Sequence, residues 1–368
     1  MNSTEKSGKS ALSILNGLDA RDVNLWNHIV KEYCGNEPMM LPAYLGLFCR
    51  TPFERSFCVW YGRNNGGIVY PFILRELRSL TWCPSELSCY CDLVTPYGYG
   101  GPYQYGELSE NDICEFWFEL DDWLKGRRAV SEFIRFSLEL TQPKIAYPGA
   151  VVFKQNNIAK DLGRSDADIW MGYHHKVRKN VKRAEHSGLQ IEIDRNGARI
   201  HEFLETYYST MARREADNFY FFSPDLFDCL NRSLLGNYIY FYVLNNSKII
   251  SSELVLYSNV AAYSFLGGTD ESAYELRPND LLKHEIIKWG VGSGLRWFII
   301  GGGYHEDDGI YRYKKSFAPE GEFPFFVGQR VLDSGVFGDL IISRRNYENA
   351  NGRDWHPSEN FFPPYRAQ

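Results

Sequence analysis

The stretch that decides the fold is residues 277–317, which read RPNDLLKHEIIKWGVGSGLRWFIIGGGYHEDDGIYRYKKSF. Pro278 ends the preceding element, and Asn279 or Asp280 is predicted to cap a helix that begins at this point. Apolar residues then recur on one helical face, at Leu282, Ile286 and Trp289. Glycines are predicted to end that helix, at Gly290, Gly292 and Gly294. The apolar residues 297–300 follow as a buried strand, so the order is helix, strand, glycine turn.

This order of elements predicts an anion site at the start of the helix. Free N–H groups and the positive end of the helix dipole both favour a negatively charged ligand there. A lysine placed shortly after the next strand, Lys314, is suited to stabilise charge that develops on an acyl carbonyl. The stretch therefore points to chemistry on an activated acyl group.

Several short motifs resemble the Fem-type aminoacyltransferases, which build peptidoglycan cross-bridges, and their relatives among the GNAT-like acyltransferases (the FemAB-like group). These motifs are Gly267-Gly268-Thr269, Pro278-Asn279-Asp280-Leu281-Leu282, Gly301-Gly302-Gly303 and Tyr313-Lys314-x-x-Phe317. The family usually has Phe-Lys-x-x-Phe-Gly at the last motif, whereas this chain has Tyr313 and Ala318. The resemblance implies an α+β fold with two GNAT-like modules. Each module is expected to have a mixed, mainly antiparallel sheet with helices, and the two are expected to face each other across a cleft.

The resemblance also implies roles for residues near the donor. Lys314 is expected to stabilise the tetrahedral oxyanion, and Tyr313 is expected to stack on the donor end. Their position after a strand end near the expected cleft, rather than the resemblance, makes Asp307 and Asp308, which follow His305 and Glu306, candidates for the general base. The substrate's own phosphate is a further candidate, and an acidic loop is more often simply solvated. The expected donor-binding residues are Arg277, Asn279, Asp280, Gly268, Tyr313 and Phe317.

Acceptor contacts are predicted from two further segments. A Thr-x-x-Arg pattern resembling the family's places Arg213 where an arginine contacts the acceptor's phosphate, by bidentate recognition. The alternative is a surface ion pair of Arg213 with a neighbouring acid. The segment TPYGYGGPY, residues 95–103, resembles a family segment that lines the substrate cleft, through Tyr97, Tyr99 and Tyr103. The same segment is also consistent with a structural loop packed by its own aromatics.

A strongly basic helix is predicted over residues 173–188. Its apolar face is formed by Val177, Val181 and Ala184, and its other faces carry Lys176, Arg178, Lys179, Lys182 and Arg183. In a chain with a net charge of −6, this concentration of positive charge suits phosphates of a transfer RNA, a coenzyme or a nucleotide-linked acceptor. A solvated charged face, or a signature of the fold, would give the same pattern.

The length of 368 residues predicts two domains. We expect an N-terminal module over 1–150, joined by the C-terminal segment 332–368, and a C-terminal module over 151–331. The first 10 residues lack the apolar core of a signal peptide, and no apolar run is long enough for a membrane span, which favours the cytosol. No metal site is predicted, and the oligomeric state stays open.

The predicted activity is transfer of an aminoacyl or acyl group to a primary amine of a cell-envelope precursor, an amino sugar or a small metabolite. No tightly bound cofactor is expected. The usual coenzyme-A loop is missing between Thr269 and Leu282, so aminoacyl-tRNA is the favoured donor and acyl-CoA the alternative. A different class of function also stays open, a non-catalytic protein that binds envelope precursors or glycans.

Overall fold

The computed structural model describes residues 12–141, 145–304, 307–357 and 361–367. The strands in this part of the chain are β1 (Leu12–Asn16), β2 (Glu54–Arg63), β3 (Gly66–Glu76), β4 (Cys91–Val94), β5 (Tyr103–Gly106), β6 (Ala129–Arg135), β7 (Ala150–Asp161), β8 (Gln190–Asp194), β9 (Tyr238–Asn245), β10 (Lys248–Tyr257), β11 (Ala261–Thr269), β12 (Trp297–Gly301) and β13 (Glu322–Val331). The helices are α1 (Ala20–Tyr33), α2 (Pro42–Gly46), α3 (Glu110–Gly126), α4 (Asp166–Met171), α5 (His175–His186), α6 (Ile200–Arg213), α7 (Pro224–Ser233), α8 (Pro278–Gly292), α9 (Gly309–Lys315) and α10 (Ser334–Ala350).

These elements form a mixed α+β fold, as predicted, and they divide into two compact units. The first unit comprises Met1–Cys34, Met39–Phe153 and Phe326–Gln368. The second comprises Gly35–Pro38 and Lys154–Phe325. Strands β7 and β13 each contribute residues to both units.

The first unit is built on strands in the order β1-β2-β3-β4-β6-β13, with β5 also on β3. Its pairs are antiparallel except β4 with β6, which are parallel. Aromatic side chains of α3 and β3 fill its core, among them Phe116 and Phe72, which are fully buried. Strands β2 and β3 form a β-hairpin that turns at Asn64 and Asn65.

The second unit has the strand order β7-β12-β11-β10-β9-β8, and β11 with β12 is its one parallel pair in the described chain. The two parallel strands are joined through α8, and they pair only from Ala261 with Trp297 to Tyr263 with Ile299. Since β11 continues to Thr269 without further pairing to β12, the two strands part on the side where α8 begins.

Both faces of this second sheet are covered by helices. Alternate residues of β9 point to opposite faces, as strand geometry requires. Ile239, Phe241 and Val243 belong to the core that α5 and α8 complete. Tyr240 packs instead on Phe203 of α6, with ring centroids 5.1 Å apart. Helices α5 and α8 therefore lie on one face, and α6 lies on the other.

One local prediction about α8 is wrong. Its N-cap is Arg277, not Asn279 or Asp280, because Pro278 occupies the first helical position and disfavours the ordinary helical conformation in the residue before it. The helix does end within the predicted run of glycines: it continues past Gly290 to Gly292, and Gly294 then takes the left-handed conformation, with φ of 73°. Glycine inside a helix is thus tolerated here because α8 packs tightly on the core.

Candidate functional site

The start of α8 offers backbone donors to a ligand. Arg277 has φ of 60° and ψ of 41°, and no side chain caps the helix. A non-glycine residue in this left-handed conformation is strained by about 1–2 kcal/mol, which is typical of functional positions. Pro278 has no N–H and the N–H of Leu281 already donates to the carbonyl oxygen of Arg277, so Asn279 and Asp280 supply the backbone donors that can meet an anion here.

Asn279 is held in place by two hydroxyl groups from the neighbouring strands. Its Oδ1 accepts from Ser251 Oγ at 2.8 Å and from Thr269 Oγ1 at 2.6 Å. With Oδ1 engaged in this way, the Nδ2 amide of Asn279 is left as the group that can serve a ligand.

Asp280, at the third position of α8, is a buried acid with 7% of its surface exposed. Its Oδ1 accepts from Asn180 Nδ2 of α5 at 3.2 Å. Burial raises the pKa of Asp280 to about 6, although the Asn180 hydrogen bond and the nearby Arg277 and Lys176 act in the opposite direction.

These residues line a pocket of about 760 Å³ that lies wholly within the second unit. Its walls come from the start of α8, from α5 and the residue before it, and from α9. The lining carries the cations Lys176, Arg277, Arg312 and Lys315. Of the described residues in this lining, Asp280 is the one carboxylate. Arg312 pairs with Asp307 at 3.5 Å and Lys315 with Glu322 at 2.6 Å, both acids outside the lining, whereas no ion pair joins Lys176 or Arg277 to a described residue. These two cations give the pocket positive charge within an acidic chain, which suits a phosphate-bearing ligand.

Tyr313 and Arg277 both bring shielded polar atoms to this pocket. Tyr313 Oη and Arg277 Nε are buried and have no hydrogen-bond partner among the described residues. Burial, with Asp280 and Glu253 nearby, raises the pKa of Tyr313 well above its usual value, so the phenol stays neutral. Unsatisfied buried polar groups are rare in proteins and often mark a ligand site.

Lys314 does not line the pocket, although it follows Tyr313 directly. Its Nζ donates to the carbonyl oxygen of Gly302 at 2.6 Å, just beyond the end of β12. Burial, and next the positive charge of Lys283, lowers the pKa of Lys314 to about 8. Its ammonium is thus placed beside the diverging ends of the sheet, and its catalytic role stays a prediction.

The two acids predicted as bases occupy different positions. Asp308 is the N-cap of α9, and its carboxylate accepts from the backbone N–H of Tyr311 and Tyr304, both at 2.7 Å. Asp307 is exposed and lies 3.5 Å from Arg312. Arg312 therefore engages Asp307, Asp308 holds the start of α9, and the role of either acid as a base stays a prediction. His305 and Glu306 lie outside the described residues.

A buried ion pair that sequence reasoning missed lies beneath the pocket. Lys283 Nζ contacts both carboxylate oxygens of Glu253 at 2.5 Å and donates to Ser264 Oγ at 2.7 Å. Ser264 follows the last β11 residue that pairs with β12, so the pair fills the gap where these strands part. A glutamate within the apolar strand β10, and a lysine on the buried face of α8, are the signals that could have revealed it.

The other predicted donor residues are not at the pocket surface. Phe317 is 0% exposed and packs on Tyr313 and Tyr173, so it acts on a ligand only by supporting Tyr313. Gly268 is also buried, and a Cβ added there would lie 2.2 Å from the carbonyl oxygen of Thr206. Glycine at this position therefore permits α6 to cross β11 closely.

Arg213 lies at the end of α6, next to a pocket residue. It donates to the carbonyl oxygen of Thr269 at 3.2 Å and stacks over Tyr274, 5.3 Å from the ring centroid. Tyr274 lines the pocket. The predicted acceptor contact of Arg213 is compatible with this position and stays a prediction.

The basic helix is α5, close to its predicted bounds, and its cations differ in their surroundings. Lys176, Lys179 and Lys182 are exposed, and Lys176 reaches the pocket. Arg178 is instead tied to the carbonyl oxygens of Met171 and Tyr173, and Arg183 pairs with Glu275 at 3.3 Å. The exposed lysines are thus the better candidates for phosphate contacts.

The aromatic loop predicted to contact the acceptor lies in the first unit. The carbonyl oxygen of Tyr97 accepts from Tyr44 at 2.7 Å, and the N–H of Tyr99 donates to the sulfur of Met39. Tyr103 begins β5 and pairs with Val69. All of the three tyrosines are half-buried, and their predicted role in acceptor binding is not tested by this placement.

No helix in the described part of the chain is both long and apolar enough to cross a membrane. No cluster of at least three His, Cys, Asp or Glu side chains there is arranged to hold a metal ion.

The comparisons with known proteins agree with this geometry. Residues 172–315, from α5 to α9, match the family described as an acetyltransferase (GNAT) domain. Among solved structures, FemX superposes with a TM-score of 0.64 over 87% of this chain and 98% of its own, at 13% identity. A search of the curated proteins found no match.

Two further solved structures share the fold. The C-terminal domain of a putative lysylphosphatidylglycerol synthetase from Agrobacterium fabrum has a TM-score of 0.53 and 12% identity, over 89% of this chain and 97% of its own. A conserved protein of unknown function from Bacteroides thetaiotaomicron has a TM-score of 0.54 and 10% identity, over 86% and 99%. Residues 172–315 thus match a GNAT-type acetyltransferase domain, the chain shares its fold with FemX, and the predicted resemblance to the FemAB-like acyltransferases is confirmed.

Proposed function

We propose that this protein moves an aminoacyl or acyl group from an activated donor, with aminoacyl-tRNA favoured, to a primary amine, forming an amide. The acceptor class is a cell-envelope precursor, an amino sugar or a small metabolite. One observation carries the proposal: of the residues that line the pocket at the start of α8, all but Ser316 and Pro319 lie inside the segment that matches a GNAT-type domain.

In this proposal the pocket holds the phosphate-bearing end of the donor. The open N–H groups of α8 bind a phosphate, and Lys176 and Arg277 neutralise its charge. The ring of Tyr313, on the opposite wall, stacks on the donor end. Phe317 packs under that ring and fixes its orientation.

The chemistry then follows from the acyl group. The amine nitrogen attacks the carbonyl carbon, a C–N bond forms, and the C–O or C–S bond to the donor breaks. The amine loses a proton, for which Asp307 is the exposed candidate base, and the leaving oxygen or sulfur takes one up. Lys314 stabilises the oxyanion, because its ammonium is already positioned by Gly302 where β11 and β12 part.

The exposed lysines of α5 favour RNA over coenzyme A. From Lys176 at the pocket, Lys179 and Lys182 continue the positive surface along the helix, farther than a single small ligand needs. The second candidate donor is an acyl-CoA, which the matched description of an acetyltransferase domain supports. Arg213, beside pocket residue Tyr274, is proposed to contact an anionic group of the acceptor.

The test is transfer from each donor to a panel of amines, read by mass spectrometry. The protein is incubated with charged transfer RNA or with acyl-CoA, with and without ribonuclease. We expect a mass shift on an amine acceptor with charged transfer RNA that ribonuclease abolishes. Transfer that survives ribonuclease and needs acyl-CoA would replace the RNA donor by the coenzyme, and no transfer from either would remove the proposed function.

A matched set of variants tests the RNA contact itself. Lys179→Ala combined with Lys182→Ala should weaken transfer RNA binding and reduce the magnitude of its salt slope by about 1 to 2. Arg183→Ala is the control, because this equally exposed cation is already paired with Glu275 and should change the slope less. An unchanged slope in the double variant would speak against an RNA contact along α5.

A further inference from the structure

Asp280 is a carboxylate in a pocket whose other charged lining residues are cations. The lining carries cations on three walls, and the open N–H groups of α8 add to their effect. A carboxylate in this lining repels a phosphate, so it does not improve the site that the proposed function describes. The acid at this position therefore requires a separate explanation.

A purely structural role explains Asp280 poorly. It does not complete a capping box, since α8 has no side-chain cap. No cation lies within ion-pair distance of it among the described residues, and its one side-chain hydrogen bond there comes from Asn180. A carboxylate that is 7% exposed and lacks a paired cation destabilises the folded chain, which the raised pKa of about 6 reflects.

Tyr313 provides a second, independent observation on the same pocket. Its Oη is buried without a partner among the described residues, and Tyr313 and Asp280 line the same pocket. The oxygen of a neutral phenol accepts a hydrogen bond, and an ionised carboxylate accepts a hydrogen bond from a positively charged donor. Because Tyr313 lines the pocket, a ligand bound there can supply the partner that the described residues do not.

A primary ammonium group satisfies both side chains at once. It presents three N–H donors and a positive charge on a small head, so it can pair with the Asp280 carboxylate and donate to Tyr313 Oη. We propose that Asp280 and Tyr313 form a binding site for the primary ammonium group of a substrate, beside the phosphate site at the start of α8. This inference rests on the proposed function, because the pocket is taken to be the donor site.

Two different substrates carry a primary ammonium group of this kind. It is either the α-amino group of an aminoacyl donor or the amine of the acceptor. In the first case the pocket selects aminoacyl over simple acyl donors. Family sequences usually have Phe where this chain has Tyr313, so the extra hydroxyl would be a specificity feature of this chain.

The test compares ligands that differ only at the amine. The donor pair is an aminoacyl-adenosine with a stable amide link, with its α-amine free or N-acetylated. The acceptor pair is glucosamine and N-acetylglucosamine. Titration calorimetry at pH 7.5 with the full chain should show at least tenfold tighter binding of the free amine in one pair, and that pair identifies the source.

Variants decide whether the preference belongs to this site. Asp280→Asn keeps the shape and should bring the ratio for that pair close to one, with little change for the acetylated ligand. Tyr313→Phe should reduce the ratio by about threefold to tenfold. Glu185→Gln, an equal change of charge at an exposed residue of α5 outside the pocket lining, should leave it unchanged.

The outcomes separate this inference from the proposed function. Equal binding of free and acetylated ligands, or a preference that persists in Asp280→Asn, overturns the ammonium site while leaving the donor pocket intact. If neither adenosine ligand nor acyl-CoA binds at all, the donor pocket is wrong and the ammonium site falls with it.

Discussion

Single residues of the second unit carry more than one role, and Lys314 illustrates this. Its ammonium is useful for catalysis only while it is protonated, yet burial has brought its pKa down to about 8. We therefore expect kcat to fall as pH rises through about 8. Lys314→Met should lower kcat by about 100-fold or more, and its residual rate should not fall in that range.

The lowered pKa of Lys314 predicts the opposite pH dependence for the free energy of unfolding. A lysine whose folded pKa lies below 10.5 binds fewer protons in the native state between about pH 8 and 10.5, so stability should rise with pH there. Relative to Lys314→Met, the wild type should gain up to about 3 kcal/mol across this window in urea unfolding. A flat difference between the two proteins would show that the amine is not desolvated.

Gly268 tests whether the motif around it acts on the ligand or on packing. An alanine Cβ would lie 2.2 Å from the backbone oxygen of Thr206, so α6 must move. Gly268→Ala should destabilise the protein by about 1–3 kcal/mol. Gly292→Ala, in a helix with no atom within 4 Å of the added Cβ, should stabilise it by about 0.5–1 kcal/mol. Equal melting temperatures would contradict the packing role.

At the scale of elements, Arg277 at the start of α8 is both a strained residue and a cation of the pocket. Arg277→Gly removes the left-handed strain and should stabilise the fold by about 1 kcal/mol, while it removes a cation from the pocket. Binding of a phosphate-bearing donor should weaken by about tenfold. The matched control is Glu215→Gly, another left-handed residue outside the pocket, which should gain stability and bind normally. Unchanged donor affinity in Arg277→Gly would exclude this arginine from the site.

The elements themselves were largely readable from sequence, because their signals are local. Apolar periodicity predicted α5, the body of α8 and the strand that follows it within a few residues. Helix α7 was missed. Local sequence patterns are sufficient to predict an element when its residues mainly contact their neighbours in sequence.

Which side chains meet in the site was less predictable, since that depends on how short elements rotate. Tyr313 and Lys314 are adjacent, but consecutive residues of a helix point about 100° apart. Only packing decides that Tyr313 lines the pocket and Lys314 reaches Gly302. The pairing of Glu253 with Lys283 across two elements likewise needs the tertiary structure.

At the scale of the whole molecule, each unit has one parallel strand pair within a mainly antiparallel sheet. The pair β4 and β6 is connected through α3, and the pair β11 and β12 through α8. We propose that the two units are the two GNAT-like modules that the sequence predicts, with boundaries near residues 150 and 331.

The C-terminal segment is tied into the first unit by a buried charge cluster. Asp92 is 0% exposed and contacts Arg75 at 2.7 Å and Arg366 at 2.5 Å. Burial acts to raise the pKa of Asp92, but the two arginines hold it below its usual value. Arg366→Met should destabilise the protein by about 3–5 kcal/mol at neutral pH.

The pH dependence of this loss has a definite sign. An aspartate with a lowered folded pKa contributes stability above its unfolded pKa of about 4, and this contribution is lost as pH falls below that value. The difference between wild type and Arg366→Met should therefore shrink in acid. Arg345→Met, at an exposed position of α10, should stay within about 0.5 kcal/mol of wild type at every pH. A loss of equal size at pH 3 and pH 7 would contradict the ionic origin.

Because the first unit is formed by separate stretches of the chain, its folding depends on the order in which the chain is synthesised. Strand β13 pairs with β6, and Arg366 reaches Asp92, so residues made early depend on residues made last. A ribosome would have to deliver Phe326–Gln368 before Met39–Phe153 can finish folding, whereas Lys154–Phe325 would be ready sooner. Nascent chains interrupted near residue 325 would hold an exposed edge on β6, and such chains would be natural clients for chaperones.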